Sequence, residues 1–331
     1  MPQITENIER FDEELFGKLT NIFDERAKRR VLADIGFSIF GSETTNLRTQ
    51  RFQALVAGGD IKPIAEGQDF PESTIQQGYY KTYTQNHLAG GITITKDHYM
   101  FFSERYAEIM AMPQNLVRTA FDRIDQSICD VINNCDSTSY TNVFGQTEDN
   151  TTPDGVAFAS DSHKVGASSL YTFGNIIYDG GVTGTGTKNP ALSRAALIGA
   201  RVMGDNFKDS NGVRSPITFN KLVVSSKDYD LALQLVKSEY VAGSTNAGEN
   251  GTNESLNDLT VVKRPRLTSG YWLLTNEDAG EAIKPSFAQK PQLGAPVVIP
   301  KSLSRWSPMD LYYVIKRMDA SRVFVSKGTN S

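Results

Sequence analysis

The chain is short of nearly everything that site chemistry requires. Its 331 residues include two cysteines and three histidines. Cys129 and Cys135 stand six residues apart, which on a helix is about 120° from alignment. They therefore read as buried thiols of a reducing compartment, and a disulfide scaffold is excluded. His87, His98 and His163 show no i, i+4 spacing and no cysteine cluster nearby, so neither a zinc site nor any cofactor is expected. No run of about 20 apolar residues exists and no apolar signal core opens the chain, so the expectation is a protein made in the cytosol with no membrane partner. Basic residues are no more plentiful. With 34 against 38 acidic ones the net charge is −4, too little positive field to grip nucleic acid.

What is present is a long polar hairpin directly ahead of a long helix, between Phe52 and Asn134. The stretch from Gly67 to Thr95 is rich in Thr, Tyr and Gln, suited to strands but poor in aliphatic residues to bury. A hairpin over roughly 62–95 is predicted, and a two-stranded polar ribbon is marginal unless it lies on something. If this subunit does not supply that surface, a neighbour must. Assembly is therefore the leading idea.

The flanking elements follow from periodicity. Ile4, Ile8, Phe11, Leu15, Leu19 and Ile22 form one stripe of a helix over 3–30, with acids early and bases late. Two readings stand side by side: a helix docked on its own domain, or an arm lying on another subunit. Phe52–Ala57 is a predicted strand. Thr95 is the predicted N-cap of a helix reaching about Asn134, with Ala107, Met110, Val117, Ala120, Ile124, Ile128 and Val131 buried and Pro113 kinking it or starting a second helix. Further on, Val156–Ala159 is a strand candidate, Gly180–Gly186 a surface loop, 191–207 and 228–240 helices, and 242–257 a long exposed loop. Strands are expected at 222–225, 259–262, 271–274, 311–316 and 323–325. The stretch punctuated by Pro285, Pro291, Pro296 and Pro300 reads as extended chain.

Several ordered segments resemble those of tailed-phage major capsid proteins of the Hong Kong 97 fold, the Mu-like major head subunits above all. They are Phe52-Gln-Ala-Leu-Val-Ala57 leading to Ile64-Ala-Glu-Gly67 and Pro71, then Ile92-Thr-Ile-Thr95, then Ile124 to Asp130. Asp154 to His163, Leu192 to Leu197, Leu222 to Ser225 and Tyr271 to Leu274 follow in order. The resemblance spans about 30–325. It implies an α+β fold with an N-terminal arm (1–30), P-domain parts at 31–59 and 96–190 (with the spine helix), an extended E-loop (60–95), an A-domain (191–300) and C-terminal P-domain strands (301–331).

It further implies a major capsid protein that self-assembles as a homo-oligomer, in pentamers and hexamers of an icosahedral head. That head would enclose double-stranded DNA without sequence-specific binding, and the protein would be a virion component assembled in the host cytoplasm. Inter-subunit contacts are expected from Glu66, Phe70, Tyr79, Tyr80, Lys81 and Tyr83 on the E-loop and from Ile4, Ile8, Phe11 and Leu15 on the arm. Only a short arm precedes the shared region, so a separate scaffolding protein is expected, together with a portal and possible decoration proteins. Lys81 is read as a solvated lysine rather than a crosslinking one.

Two other classes compete. An encapsulin-like cargo shell shares the fold. A soluble hydrolase would need a catalytic group, and Ser162-His163 does not make one, because adjacent strand residues point to opposite faces. The run Gly181 to Lys188 lacks the Gly-Lys-Ser/Thr ending and the leading strand of a phosphate loop. No enzymatic activity is expected.

Overall fold

The computed structural model describes residues 2–33, 39–56, 63–64, 66–67, 76–237, 256, 258–300, 302 and 304–328. The first elements are α1 (Pro2–Ala33), β1 (Glu43–Thr44), β2 (Thr49–Val56), β3 (Gln76–Thr84) and β4 (Asn86–Ile94). Next come α2 (Lys96–Met100), α3 (Phe102–Asn133), β5 (Ser139–Thr141), β6 (Thr147–Asp149) and α4 (Arg194–Asp205). The rest are β7 (Lys221–Val224), α5 (Tyr229–Lys237), β8 (Thr260–Lys263), β9 (Trp272–Thr275), β10 (Ile283–Leu293), β11 (Val297–Ile299), β12 (Ser304–Arg317) and β13 (Val323–Ser326). The fold is α+β. The chain divides into two units, one from 1–49, 84–127 and 285–315, the other from 50–83, 128–284 and 316–331.

In the first unit the sheet runs β1-β10-β12-β11, with β4 also paired to β12. The β4/β12 ladder is antiparallel and extends from Arg305 opposite Ile94 to Tyr313 opposite Asn86. Alternation along β4 turns Ile92 and Ile94 inward and Gly91 and Thr93 outward, as a half-buried strand requires. These isoleucines join Leu15, Phe16 and Leu19 of α1 and Ile109 of α3 in one buried cluster. Residues 15, 16, 19 and 23 share one helical face, which is why this stretch of α1 packs.

The predicted hairpin over 62–95 is therefore corrected in part. Its second arm belongs to the sheet that includes the distant strand β12, and β3 pairs instead with β2. The sequence could not show this, because β12 begins more than 200 residues after β4.

Thr95 caps the next helix as expected. Its N–H donates to His98 Nδ1 at 3.1 Å, so the ring nitrogen satisfies a donor the helix leaves orphaned. The break in the helical run falls at Phe101 (φ −114°, ψ 40°), not at Pro113. Pro113 lies inside α3, buried one turn from Ile109 and Val117. There its ring adds apolar contact that offsets the missing hydrogen bond. Ala107 is exposed, and Ile109 takes the core position expected of it.

The second unit is built on the sheet β13-β9-β7-β8. β7 and β8 are parallel, so they need a crossover, and the segment between them carries α5. Trp272, Leu273, Leu274, Leu222, Val224, Val323 and Phe324 are buried in this sheet. Both faces are covered, which is why these strands read as unbroken apolar runs. β13 lies beside β9, so the last strand joins the strands expected of an A-domain. Ser193 caps α4 by accepting from the Ala196 N–H. No regular strand forms at 156–159, where only a single bridge links Thr151 and Ala157. The predicted loop at 242–257 lies outside the described residues apart from Leu256. Among the described residues no helix is long and apolar enough to cross a membrane.

Candidate assembly surface

The hairpin β2/β3 is seated at its base by its own unit. Gly78 is the closest approach: a Cβ there would stand 2.5 Å from the Val165 carbonyl oxygen and 2.8 Å from that of Ala54. Only glycine lets the strand lie that close. The next residue, Tyr79, donates its N–H to the same Val165 oxygen at 2.9 Å.

Two side chains of β3 then pin the ribbon. Tyr83 is buried, and its hydroxyl donates to the carbonyl of Arg317. Burial raises its phenol pKa far above the ordinary value. Arg317 is itself buried, with Nε donating to Asn150 Oδ1 at 2.9 Å and Nη2 to the Tyr140 hydroxyl at 3.2 Å. Burial pushes the Tyr140 phenol up to about 12, against the pull of the Arg317 charge. Both phenols therefore stay neutral, as a donor and as an acceptor.

Lys81 is held by three oxygens. Its Nζ lies 2.9 Å from Asp149 Oδ2 and donates to Thr151 O at 2.6 Å and Thr151 Oγ1 at 2.8 Å. Burial lowers the lysine pKa more than Asp149 restores it. Burial would raise the Asp149 carboxyl, yet the hydrogen bonds from Lys81 and Thr151 bring it below its ordinary value. Desolvation thus outweighs the partner at the lysine, whereas the hydrogen bonds outweigh it at the carboxylate.

The residues expected to reach a neighbour thus separate into groups. Tyr83 and Lys81 come together, with Nζ 5.6 Å from the Tyr83 ring centroid, and both are engaged by their own chain. Lys81 is thus held by its own chain and is not a solvated lysine. Tyr79 is half-buried, while Tyr80 is exposed with the Arg51 guanidinium 3.8 Å over its ring. Glu66 is exposed, and Phe70 lies outside the described residues. On α1, Leu15 is buried in the cluster with Ile92 and Ile94, which favours a docked helix over an arm at that position. Ile4, Ile8 and Phe11 lie on the same helix, their side chains outside the described set.

A family described as phage capsid protein matches residues 79–301, from within β3 to just past β11. The chain belongs to this phage capsid protein family. It is a major capsid protein: a structural component of the virion and a subunit of an oligomeric shell. The family match favours this role over a cargo shell. No curated protein sequence matches the chain. Among solved structures it is similar to the mature capsid of bacteriophage PhiM1 (13% identity, 88% of this chain and 86% of that one, TM-score 0.49). It is also similar to a virus-like particle from Pyrococcus furiosus (10%, 94% and 98%, TM-score 0.48) and to the capsid of Myoviridae phage XM1 (11%, 89% and 92%, TM-score 0.45).

For a phage capsid protein the informative residues are then structural ones, and Arg317 among them was not singled out by sequence reading. Arg317 ties the hairpin base to Tyr140 in β5 and to Asn150 just after β6, and no local pattern marks a buried arginine. Asp154 and His163 form a buried pair, Oδ2 to Nδ1 2.9 Å, with Nε2 facing the Phe158 carbonyl at 3.2 Å. Burial would raise the Asp154 carboxyl, but the hydrogen bond and charge of His163 lower it below its ordinary value. Both imidazole nitrogens are occupied by protein acceptors, which makes the histidine a fastener rather than a base. Ser162 points elsewhere, to Ser160.

Proposed function

We propose that this capsid protein closes pentameric and hexameric rings of an icosahedral head around double-stranded DNA, in a Hong Kong 97-type architecture with Mu-like head subunits as its kin. One observation carries the reading: strand β3 is anchored on its own unit by Gly78, Tyr83 and Lys81, while Tyr80 on the same strand stays exposed. A ribbon so held can be presented to an adjacent copy. Repeated contacts between the same two patches then close rings, and many modest contacts add up in a shell. Glu66, Phe70 and Tyr80 are the contact residues on the hairpin, and Ile4, Ile8 and Phe11 those on α1. The role is non-enzymatic, assembly takes place in the host cytoplasm, and portal, scaffolding and decoration proteins are its expected partners. Net charge near neutrality suits a wall that contains DNA without gripping it.

Electron microscopy of the purified chain tests this. Closed shells, or five- and six-membered rings, are expected. A single copy at every concentration would contradict it.

A further inference from the structure

A cavity of about 500 Å³ opens in the second unit, lined by residues 52–54 of β2, by the segments 152–154 and 163–165, and by residues 318–320 just beyond β12. Its volume falls within the roughly 300–1,000 Å³ of ligand pockets. At about 30 Å³ for each water-sized atom it has room for on the order of 15 non-hydrogen atoms.

Its walls are apolar and one of them is fixed. Phe173 is buried, with its ring centroid 5.2 Å from those of both His163 and Phe207. Phe52 and Met318 are half-buried and complete the apolar lining.

The charges around it are unequally matched. Of its acids, Asp154 is bonded to His163 at 2.9 Å, and Glu281 and Asp319 lie 3.4 and 3.7 Å from Arg322. Lys164 and Lys284 also belong to the lining, and among the described residues their ammonium groups have neither a carboxylate nor a hydrogen-bond partner. A neutral apolar molecule would leave both cations unanswered, and a small inorganic anion would leave the apolar walls wet. An organic anion with an apolar body satisfies both.

We infer that this cavity binds a small amphipathic carboxylate, its apolar body against Phe52, Phe173 and Met318 and its anionic head answered by Lys164 and Lys284. Because β2 forms one side of the cavity, the bound molecule braces that strand. The site lies within one chain and does not depend on ring closure.

Isothermal titration calorimetry of the purified full chain tests this with naphthoate, set beside naphthylmethanol, which keeps the ring system and lacks the charge. Naphthoate is expected to saturate one site per chain with a dissociation constant of about 1 mM or lower. Naphthylmethanol should bind about tenfold more weakly, the difference a charge-assisted contact makes. Lys164→Gln with Lys284→Gln should weaken naphthoate by about the same tenfold and leave naphthylmethanol unchanged. Hydrogen exchange of the peptides carrying 52–54, 163–165 and 318–320 should slow on saturation. No saturable binding of naphthoate, equal affinity for the two probes, unchanged naphthoate affinity in the lysine variant, or protection confined to other peptides would each overturn the inference. The two-probe comparison uses the wild-type chain alone, so it decides the matter even where the double variant fails to fold.

Discussion

The hydroxyl of Tyr83 and the main chain of Arg317 are bonded in both directions: the phenol donates to the Arg317 carbonyl, and the Arg317 N–H donates back to the phenol oxygen at 3.2 Å. A side chain in β3 thereby completes the end of β12. Removing that oxygen takes away both of these buried bonds. Tyr83→Phe is expected to cost about 1–3 kcal/mol, read as a fall in the denaturation midpoint with little change in slope. An unchanged midpoint would show that the bond contributes nothing.

Gly78 gives a second prediction at the same anchorage. A methyl group there would press on two carbonyl oxygens, at 2.5 and 2.8 Å, and strands cannot yield as a flexible side chain can. Gly78→Ala should destabilise by about 1–3 kcal/mol and raise hydrogen exchange in β3. Exchange that matches the wild type would place the ribbon further from Val165 than found.

Lys81 and Asp149 should respond unequally to substitution. Asp149→Asn leaves the lysine charge, whose side chain is 13% exposed, without its counter-ion. Since the carboxylate itself is largely in solvent, the expected loss is limited to about 1–2 kcal/mol. Lys81→Met removes the group that bears the desolvation and should change stability less. Equal losses, measured by chemical denaturation at pH 7, would contradict this asymmetry.

Acid should loosen the second unit through Asp154 and Asp149. Both carboxyls lie below their ordinary value of 3.8 when folded. Their stabilising contribution is thus present in full above the unfolded pKa, and it is lost as pH falls below 3.8 through the folded values. His163→Gln removes the imidazole whose hydrogen bond holds Asp154 down, so the carboxyl moves up and the loss begins at higher pH. The acid-unfolding midpoint followed by circular dichroism should move upward in the variant. A midpoint that stays put would mean the pair carries no linkage.

Much of this was legible from local pattern. Thr95 announced the helix start, and the apolar runs at 222–225 and 271–274 announced buried strands, because caps and periodicity are written within a few residues. Long-range pairing was not. β4 looked like the return arm of a free hairpin because its partner begins more than 200 residues later. β10 was legible only as extended chain punctuated by Pro285 and Pro291, not as a paired strand. Yet Thr45 N–H bonds the Phe287 carbonyl on the β1 side, and Pro285 shares that side of the strand, where β1 pairs only Ser286 and Phe287. A proline is tolerated at such an open edge. The polar character of β3 was read correctly, but its support was sought outside. Tyr83 and Lys81 could serve at home only because Arg317, Asn150 and Asp149 stand far off in sequence.

Sedimentation velocity of the purified chain, run beside a variant with residues 66–72 replaced by glycine and serine, tests the assembly account most directly. Fast-sedimenting closed particles are expected from the wild-type chain, and slow, folded small species from the variant. Particles of normal size from the variant, or none from either chain, would contradict it.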